Sequence, residues 1–284
     1  MFVHPRLTHP ARTARTARTV RAAGALLLLA AAAVAPAAGS ACVAKSGPQT
    51  TALVELYTSE GCSSCPPADR WLTSTFRANA PAAGAIPLAF HVDYWDRLGW
   101  QDRFASAAYT ERQYATMRAG RARLVYTPQV LVQGRDFPRW QAGPRDATAA
   151  IAAANARPAR AEITLEAMPR PRAVAVTAAV RVPAEADRRG AAIYVALVDS
   201  GLVSEVKAGE NSGVRLVHDH VVRVLRAGPA VDAAGTGAAE MVIPLPAEAG
   251  QAPTLVAFVQ NPETGDVLQA LALPLSSSAC AIAR

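Results

Sequence analysis

From about residue 52 to residue 157 the apolar positions switch repeatedly between two rhythms. Residues 52–57, apolar except for Glu55, read as a buried strand that ends at Thr58-Ser59. From Pro67, the residues Trp71, Leu72 and Phe76 fall near helical spacing. Residues 86–92 read as a second strand, and Phe104, Ala108 and Ala115 mark a helix over about 104–119. A third strand covers 129–132 and stops at Gly134, and a last helix fits 144–156. Strands alternating with helices imply an α/β layer with at least one parallel strand pair.

After Arg157-Pro158 the rhythm becomes one of strands alone. Val174, Val176, Ala178, Val180 and Val182 alternate with other residues, as one face of a half-buried strand does. Further strands are expected over 192–198, 216–225, 240–245, 255–260 and 267–273, with a hairpin turn at Asn261-Pro262-Glu263-Thr264-Gly265 between the last two. This pattern predicts an antiparallel all-β sandwich over 159–284, following an α/β domain over 42–158.

Charge separates off the first segment. The chain carries a formal +7, yet Arg6, Arg12, Arg15, Arg18 and Arg21 lie in residues 1–41, which hold no acid. Residues 22–35 follow as an apolar stretch centred on Leu26, Leu27, Leu28 and Leu29, and small residues come next. Basic segment, apolar core and small residues are the order of a secretory signal peptide, expected over 1–41. A retained membrane anchor is the alternative, but the apolar run is shorter than the ~20 residues a span needs. A mitochondrial-type presequence is also Arg-rich, and the compact leucine core argues against it. Cys42 follows small residues as in a lipoprotein signal, although Gly39 stands where such signals usually place leucine. The expected location is therefore periplasmic or secreted, with lipid anchoring at Cys42 the lesser alternative. Residues 42–284 keep a net charge of only +2 and no basic aromatic strip, so nucleic acid is not an expected partner. No further stretch has the length and apolarity of a transmembrane span.

Chemistry concentrates at Gly61-Cys62-Ser63-Ser64-Cys65-Pro66-Pro67, a Cys-x-x-Cys between a strand and a helix. Two intervening residues let the sulfurs close a small disulfide ring. A following helix presents free N–H groups and a positive dipole end, both favouring a thiolate. That thiolate is the attacking group of thiol–disulfide exchange, and the second cysteine resolves the mixed disulfide. A structural disulfide and metal or metal-cofactor capture are the competing readings of the same pair. Pro66 and Pro67 disfavour a helical backbone at the residues before them, so the helix is expected to begin near Pro67.

Residues 54–69, with Val54-Glu55-Leu56-Tyr57-Thr58-Ser59-Glu60-Gly61-Cys62-Ser63-Ser64-Cys65-Pro66-Pro67-Ala68-Asp69, resemble the secreted domain-of-unknown-function family 1223. So do His91-Val92-Asp93-Tyr94-Trp95-Asp96, Leu98-Gly99-Trp100, Thr127-Pro128-Gln129-Val130, Gly209-Glu210-Asn211-Ser212-Gly213 and His218-Asp219. The resemblance covers nearly all of 42–284. It implies a thioredoxin-like fold and supplies no activity. In thioredoxin-like folds a cis proline opens the strand beside the cysteine pair and holds substrate backbone, a role that would fall to Thr127 and Pro128. Thioredoxins normally place tryptophan before the first cysteine, where this chain has Gly61.

His91 and Asp93 lie two apart at a strand end, so His91 is a candidate proton acceptor or metal ligand with Asp93 orienting it. A buried His–Asp hydrogen bond pinning a loop is the alternative. Tyr94, Trp95 and Trp100 offer either an apolar platform for an unfolded substrate or ordinary packing. His218 and His220, with Asp219 or Glu210, would share a strand face as a metal site, or else belong to a turn and a solvated strand. Cys42 and Cys280 lie near the two ends of the exported chain and are candidates for a stapling disulfide.

The sequence thus predicts an exported α/β thioredoxin-like domain followed by an all-β antiparallel sandwich. Its expected activity is thiol–disulfide exchange with Cys62 as nucleophile and Cys65 as resolving thiol. Thr127 and Pro128 would position substrate, with His91, Asp93 and Trp95 as accessories. No cofactor or metal is required. The partner is a protein thiol or disulfide, or a small-molecule thiol. The rival function is a non-catalytic envelope binding module or a metal or metal-cofactor carrier.

Overall fold

The computed structural model describes residues 41–76, 84–142, 144–248, 250–251, 253–275 and 280. The expected signal peptide lies outside the described residues, apart from its last position. The first half contributes β1 (Cys42–Lys45), β2 (Ala52–Thr58), α1 (Pro66–Thr75), β3 (Ala85–His91), α2 (Ala107–Arg118), β4 (Gln129–Val132), β5 (Arg135–Asp136) and α3 (Pro144–Asn155). The second half is strands apart from a single 3-10 turn at Glu185–Asp187: β6 (Glu162–Arg170), β7 (Ala173–Arg181), β8 (Ala192–Asp199), β9 (Leu202–Glu205), β10 (Arg215–His218), β11 (Val221–Ala230), β12 (Thr236–Pro244), β13 (Thr254–Gln260) and β14 (Val267–Pro274).

These strands do not form an α/β thioredoxin-like domain followed by a separate sandwich. The structure is mostly β-sheet, and strands of both halves join one eight-stranded mixed sheet in the order β14-β13-β8-β11-β3-β2-β4-β5. The junction is β3. It pairs parallel with β2 on one side and, through Ala89 and Val221, parallel with β11 on the other. Strand β11 then runs antiparallel to β8. A four-stranded sheet, β1-β6-β7-β12, packs through Ile163, Leu165, Val174 and Val176 against Ile193, Val195, Leu255 and Ala257 of the larger sheet. The expectation failed because alternation reports which face of a strand is buried, and carries no information on its hydrogen-bonded neighbour.

The centre of the large sheet is covered on both faces, which explains why β2 is apolar on both sides apart from Glu55. Ala52, Val54 and Leu56 pack with α1 and α3 through Leu72 and Ile151. Leu53 and Tyr57 point to the opposite face, with Phe90 and Tyr109. Glu55 lies on that second face and is buried because Arg112 of α2 reaches its carboxylate at 2.9 Å. A buried carboxylate requires such a partner.

Strand 216–225, expected as one, is two strands. His220 has a left-handed backbone, φ 59°, between β10 and β11. Strand β10 pairs only with β9, making a two-stranded hairpin apart from the large sheets. The sequence reading also lacked β1, β5, β6 and β9.

Candidate functional site

The Cys-x-x-Cys turn is built by backbone hydrogen bonds before the helix starts. Cys62 N–H donates to Ser59 O and Cys65 N–H to Cys62 O. The carbonyl of Cys65 then accepts from Ala68 and Asp69, and α1 begins at Pro66. This is one residue earlier than expected. Cys65 is helical, φ −79° and ψ −37°, despite the proline after it, since its carbonyl already caps the helix. Cys62 and Cys65 are disulfide-bonded, and each is 0% exposed. Ser63 and Ser64 between them are exposed.

Two hydroxyls face the Cys62 sulfur. Thr127 Oγ1 donates to Cys62 Sγ at 3.4 Å, and Ser64 Oγ lies at the same 3.4 Å. The peptide bond Thr127-Pro128 is cis and leads directly into β4. Trp95 reaches across to the same threonine, its Nε1–H donating to Thr127 Oγ1 at 2.8 Å. The space before Cys62 is occupied by Trp95 as well. A Cβ added to Gly61 would sit 3.1 Å from Trp95 Cβ, so the indole comes from the loop after β3 and the preceding position is glycine.

Beneath the turn lies a buried polar cluster centred on Glu60. Its amide donates to Asp102 Oδ2 at 2.9 Å, and Trp100 Nε1–H donates to its Oε2 at 2.7 Å. His218 Nε2 lies 3.3 Å from its Oε1. Asp102 Oδ2 also meets His91 Nδ1 at 2.6 Å, and the His91 and His218 rings pack edge to face at 4.9 Å. Burial alone would lower the His91 pKa, but the Asp102 carboxylate overrides it and holds the imidazole above its usual value. Burial raises Asp102, and the His91 charge and the amides of Glu60 and Phe104 outweigh it, leaving the carboxyl below its usual value. Glu60 is likewise lowered: the nearby His218 ring, the polar Ser204 side chain and the hydrogen bond from Trp100 outweigh the cost of burial. Asp69, facing inward from α1, is raised because burial dominates its surroundings.

A hairpin clips onto this turn from outside. At its tip, Asn211 Nδ2 donates to both Glu60 O and Cys62 O at 2.9 Å. Neighbouring Glu210 accepts from Ser63 N–H at 3.0 Å and Ser63 Oγ–H at 2.7 Å, which lowers its carboxyl pKa. Gly209, φ 72°, makes the approach feasible; a Cβ there would lie 3.3 Å from Trp100 Cβ. His218 grips Glu60 from β10, the other end of the same hairpin.

The structure thus brings together Cys62, Cys65, Thr127, Pro128, Trp95 and His91. Asp93 is not the partner of His91; β3 ends at His91, and Asp93 turns away to accept from Thr110 Oγ1 at 2.6 Å. His218 and His220 diverge, the first meeting Glu60 and the second meeting the Phe76 carbonyl. Among the described residues no group of three or more His, Cys, Asp or Glu side chains stands ready to hold a metal ion. Asp102 and Asp69 escaped sequence reasoning because isolated acids carry no periodic or spacing signal. Glu60, adjacent to the cysteine turn, was open to notice by proximity alone. Cys42 and Cys280 are joined as a second disulfide spanning 238 residues.

Fold and site together define a β-rich protein with a buried Cys-x-x-Cys disulfide at a strand–helix junction, clipped by a β-hairpin. The chain belongs to the family described as "Protein of unknown function (DUF1223)", which matches residues 53–260. Among solved structures it is similar to protein AGR_C_4864 from Agrobacterium tumefaciens, at 28% identity over 80% of this chain and 96% of that one, with a TM-score of 0.53. It is also similar in fold to HBP35 of Porphyromonas gingivalis, at 12% identity over 84% of this chain and 79% of that one, with a TM-score of 0.58. No curated protein matches it significantly.

Proposed function

We propose that the protein is an exported thiol–disulfide exchange protein of the periplasm or extracellular space. The observation carrying this reading is the hydroxyl of Thr127 aimed at Cys62 Sγ. A donor to sulfur favours thiolate over thiol, and the thiolate is the reactive form. In the reduced protein the Cys62 thiolate attacks a partner disulfide and displaces one partner thiolate. Cys65 then attacks Cys62 in the mixed disulfide, which releases the second partner thiolate and restores the internal bond. Run backwards, the same steps oxidise a partner dithiol. Thr127 and Pro128 would align the partner's backbone beside Cys62. Export is supported by the leader over 1–41 and by two disulfides, which persist in oxidising compartments. No helix among the described residues is long and apolar enough to cross a membrane. The test is reduction of a model protein disulfide by dithiothreitol, with wild type against Cys62→Ser. Wild type accelerates the reaction and Cys62→Ser leaves it at background; equal rates reject the reading.

A second reading has one observation in its favour: both cysteines are fully buried. In that case the disulfide is structural and the protein is a non-catalytic envelope binding module or a metal or metal-cofactor carrier. A Cys62–Cys65 bond resistant to dithiothreitol in the folded protein would select it.

A further inference from the structure

A cleft that the exchange reaction does not use opens where β11 parts from β3. The two strands pair at Val221 and Ala89 and then separate, and the residues leading into α2 form the other wall. Its volume is about 380 Å³, within the range of small-molecule sites. Three arginines line it: Arg103 from the segment before α2, and Arg223 and Arg226 from β11.

Strand β11 is shaped to present Arg223. Val222 pairs with Val198 and Val224 with Leu197, so Arg223 is an extra residue without a partner across the ladder, a β-bulge. The bulge sends its neighbours to opposite faces, Val222 to the core of Phe90 and Tyr109 and Val224 to that of Ile193 and Val195. Arg223 is left half-buried in the cleft, its guanidinium 5.3 Å from the centre of the Phe104 ring. Arg103 lies 4.6 Å from the centre of the same ring. These charges are not balanced where they stand. Glu248 pairs with Arg103 through its carboxylate, and only its carbonyl accepts from Arg223, at 3.2 Å. Arg226 hydrogen-bonds, among the described residues, only the carbonyl of its own neighbour Leu225. Buried Asp199 also acts on Arg223, but its oxygens accept from the amides of Ser200 and Gly250. Two carboxylates thus act on three guanidiniums. Burial and the Arg103 charge hold Arg223 below its usual pKa in spite of both acids.

We infer that Arg103, Arg223 and Arg226 form a binding site for a phosphate group, carried by a small ester or free in solution. Half-buried positive charge in excess within a cleft attracts an anion. Guanidinium forks hold phosphate oxygens in pairs. A tetrahedral phosphate offers oxygens to forks arriving from two different elements, whereas a carboxylate offers two in one plane. The Glu248 side chain is 55% exposed and is the group that gives way on Arg103. None of these residues takes part in the exchange reaction proposed above, so the two functions stand or fall separately.

The experiment is calorimetric titration of the intact oxidised protein at low salt and about pH 8, where a phosphate monoester is a dianion. The probes are inorganic phosphate, glycerol 3-phosphate and, as the planar control, acetate. Both phosphates are expected to saturate one site, with acetate at least about tenfold weaker. The tighter of the two phosphates identifies the source, ester or free ion. Arg223→Gln is expected to weaken phosphate binding about tenfold, the worth of one charge-assisted hydrogen bond. Glu248→Gln is expected to strengthen it about threefold, because a competing charge is gone. A folding defect lowers affinity and cannot produce that gain. Absence of saturable phosphate binding, acetate bound as tightly as phosphate, or an affinity indifferent to both substitutions overturns the site.

Discussion

Trp95 and Thr127 are joined by a 2.8 Å hydrogen bond whose direction is fixed by chemistry. The indole N–H can only donate, so Thr127 Oγ1 accepts there, and its own proton remains for Cys62 Sγ at 3.4 Å. A residue 33 positions beyond Cys62 therefore sets the hydrogen bonding of that sulfur through a second residue in the loop just before β4.

Thr127→Val keeps the shape of the side chain and removes this donor. In the reduced protein the Cys62 thiol pKa is expected to rise by about one unit, the value of one hydrogen bond to the charged form. Trp95→Phe, which frees the threonine hydroxyl to rotate, moves it in the same direction by less. Thiolate ultraviolet absorbance against pH measures both. An unchanged pKa in Thr127→Val would remove the argument for an activated Cys62.

Asn211 holds two carbonyl oxygens of the cysteine turn with one amide group. Asn211→Ala takes the side-chain donor from Glu60 O and one of the two donors from Cys62 O, which keeps the Cys65 amide, at an expected cost of about 1–3 kcal/mol. Asn211→Asp keeps the volume but faces acceptors with an acceptor, so it is expected to cost at least as much. Urea denaturation of the oxidised protein gives both values. Losses under about 0.5 kcal/mol would show the clip to be only loosely engaged.

The buried His91–Asp102 pair ties stability to pH from both sides. His91 binds its proton more tightly in the folded state, so its contribution is complete below 6.5 and is lost as pH rises through the higher folded value. Asp102 binds its proton less tightly when folded, so its contribution is complete above 3.8 and is lost as pH falls through the lower folded value. The pair is therefore most stabilising between 3.8 and 6.5. Asp69, raised by burial, contributes stability that is complete below 3.8 and is lost as pH rises through its higher folded value. Calorimetric Tm is expected to decline once pH passes the folded value of His91. Asp102→Asn is expected to cost about 3 kcal/mol at pH 6 and to flatten that decline. A Tm that climbs steadily from pH 6 to 9 contradicts a charged His91.

Cys42 sits on β1, an edge strand of the smaller sheet, and Cys280 closes the far end of the described chain onto it. In the chain-entropy model a loop of 238 residues is worth about 5 kcal/mol. Cys280→Ser is expected to lose up to that amount in urea denaturation while leaving the exchange chemistry of Cys62 intact. A sulfur bonded to Cys280 is also unavailable for a thioether-linked lipid. Mass spectrometry of the purified protein is expected to show Cys42 and Cys280 in one disulfide-linked peptide pair and no acyl mass on Cys42.

Individual elements were legible because their causes are local. The run over 52–57 identified a strand buried on both faces, and Gln129–Val132 was placed to the residue. The cysteine spacing anticipated the Cys62–Cys65 disulfide, and the family motifs marked Trp95, Thr127 and the 209–213 loop that surround it. Sequence also set the expectation of an oxidising compartment, through the basic, apolar and small residues in order over 1–41, and the two disulfides are compatible with it. What tertiary structure decided is adjacency. Val221 beside Ala89 fuses the two halves into one sheet, Asp102 rather than Asp93 meets His91, and Glu210 lands on Ser63 across 147 positions of chain. Such contacts are chosen by hydrogen-bond pairing and burial summed over the whole fold. Alternation along one strand reports only what that strand buries, so the neighbours that give Cys62 its setting had no local trace.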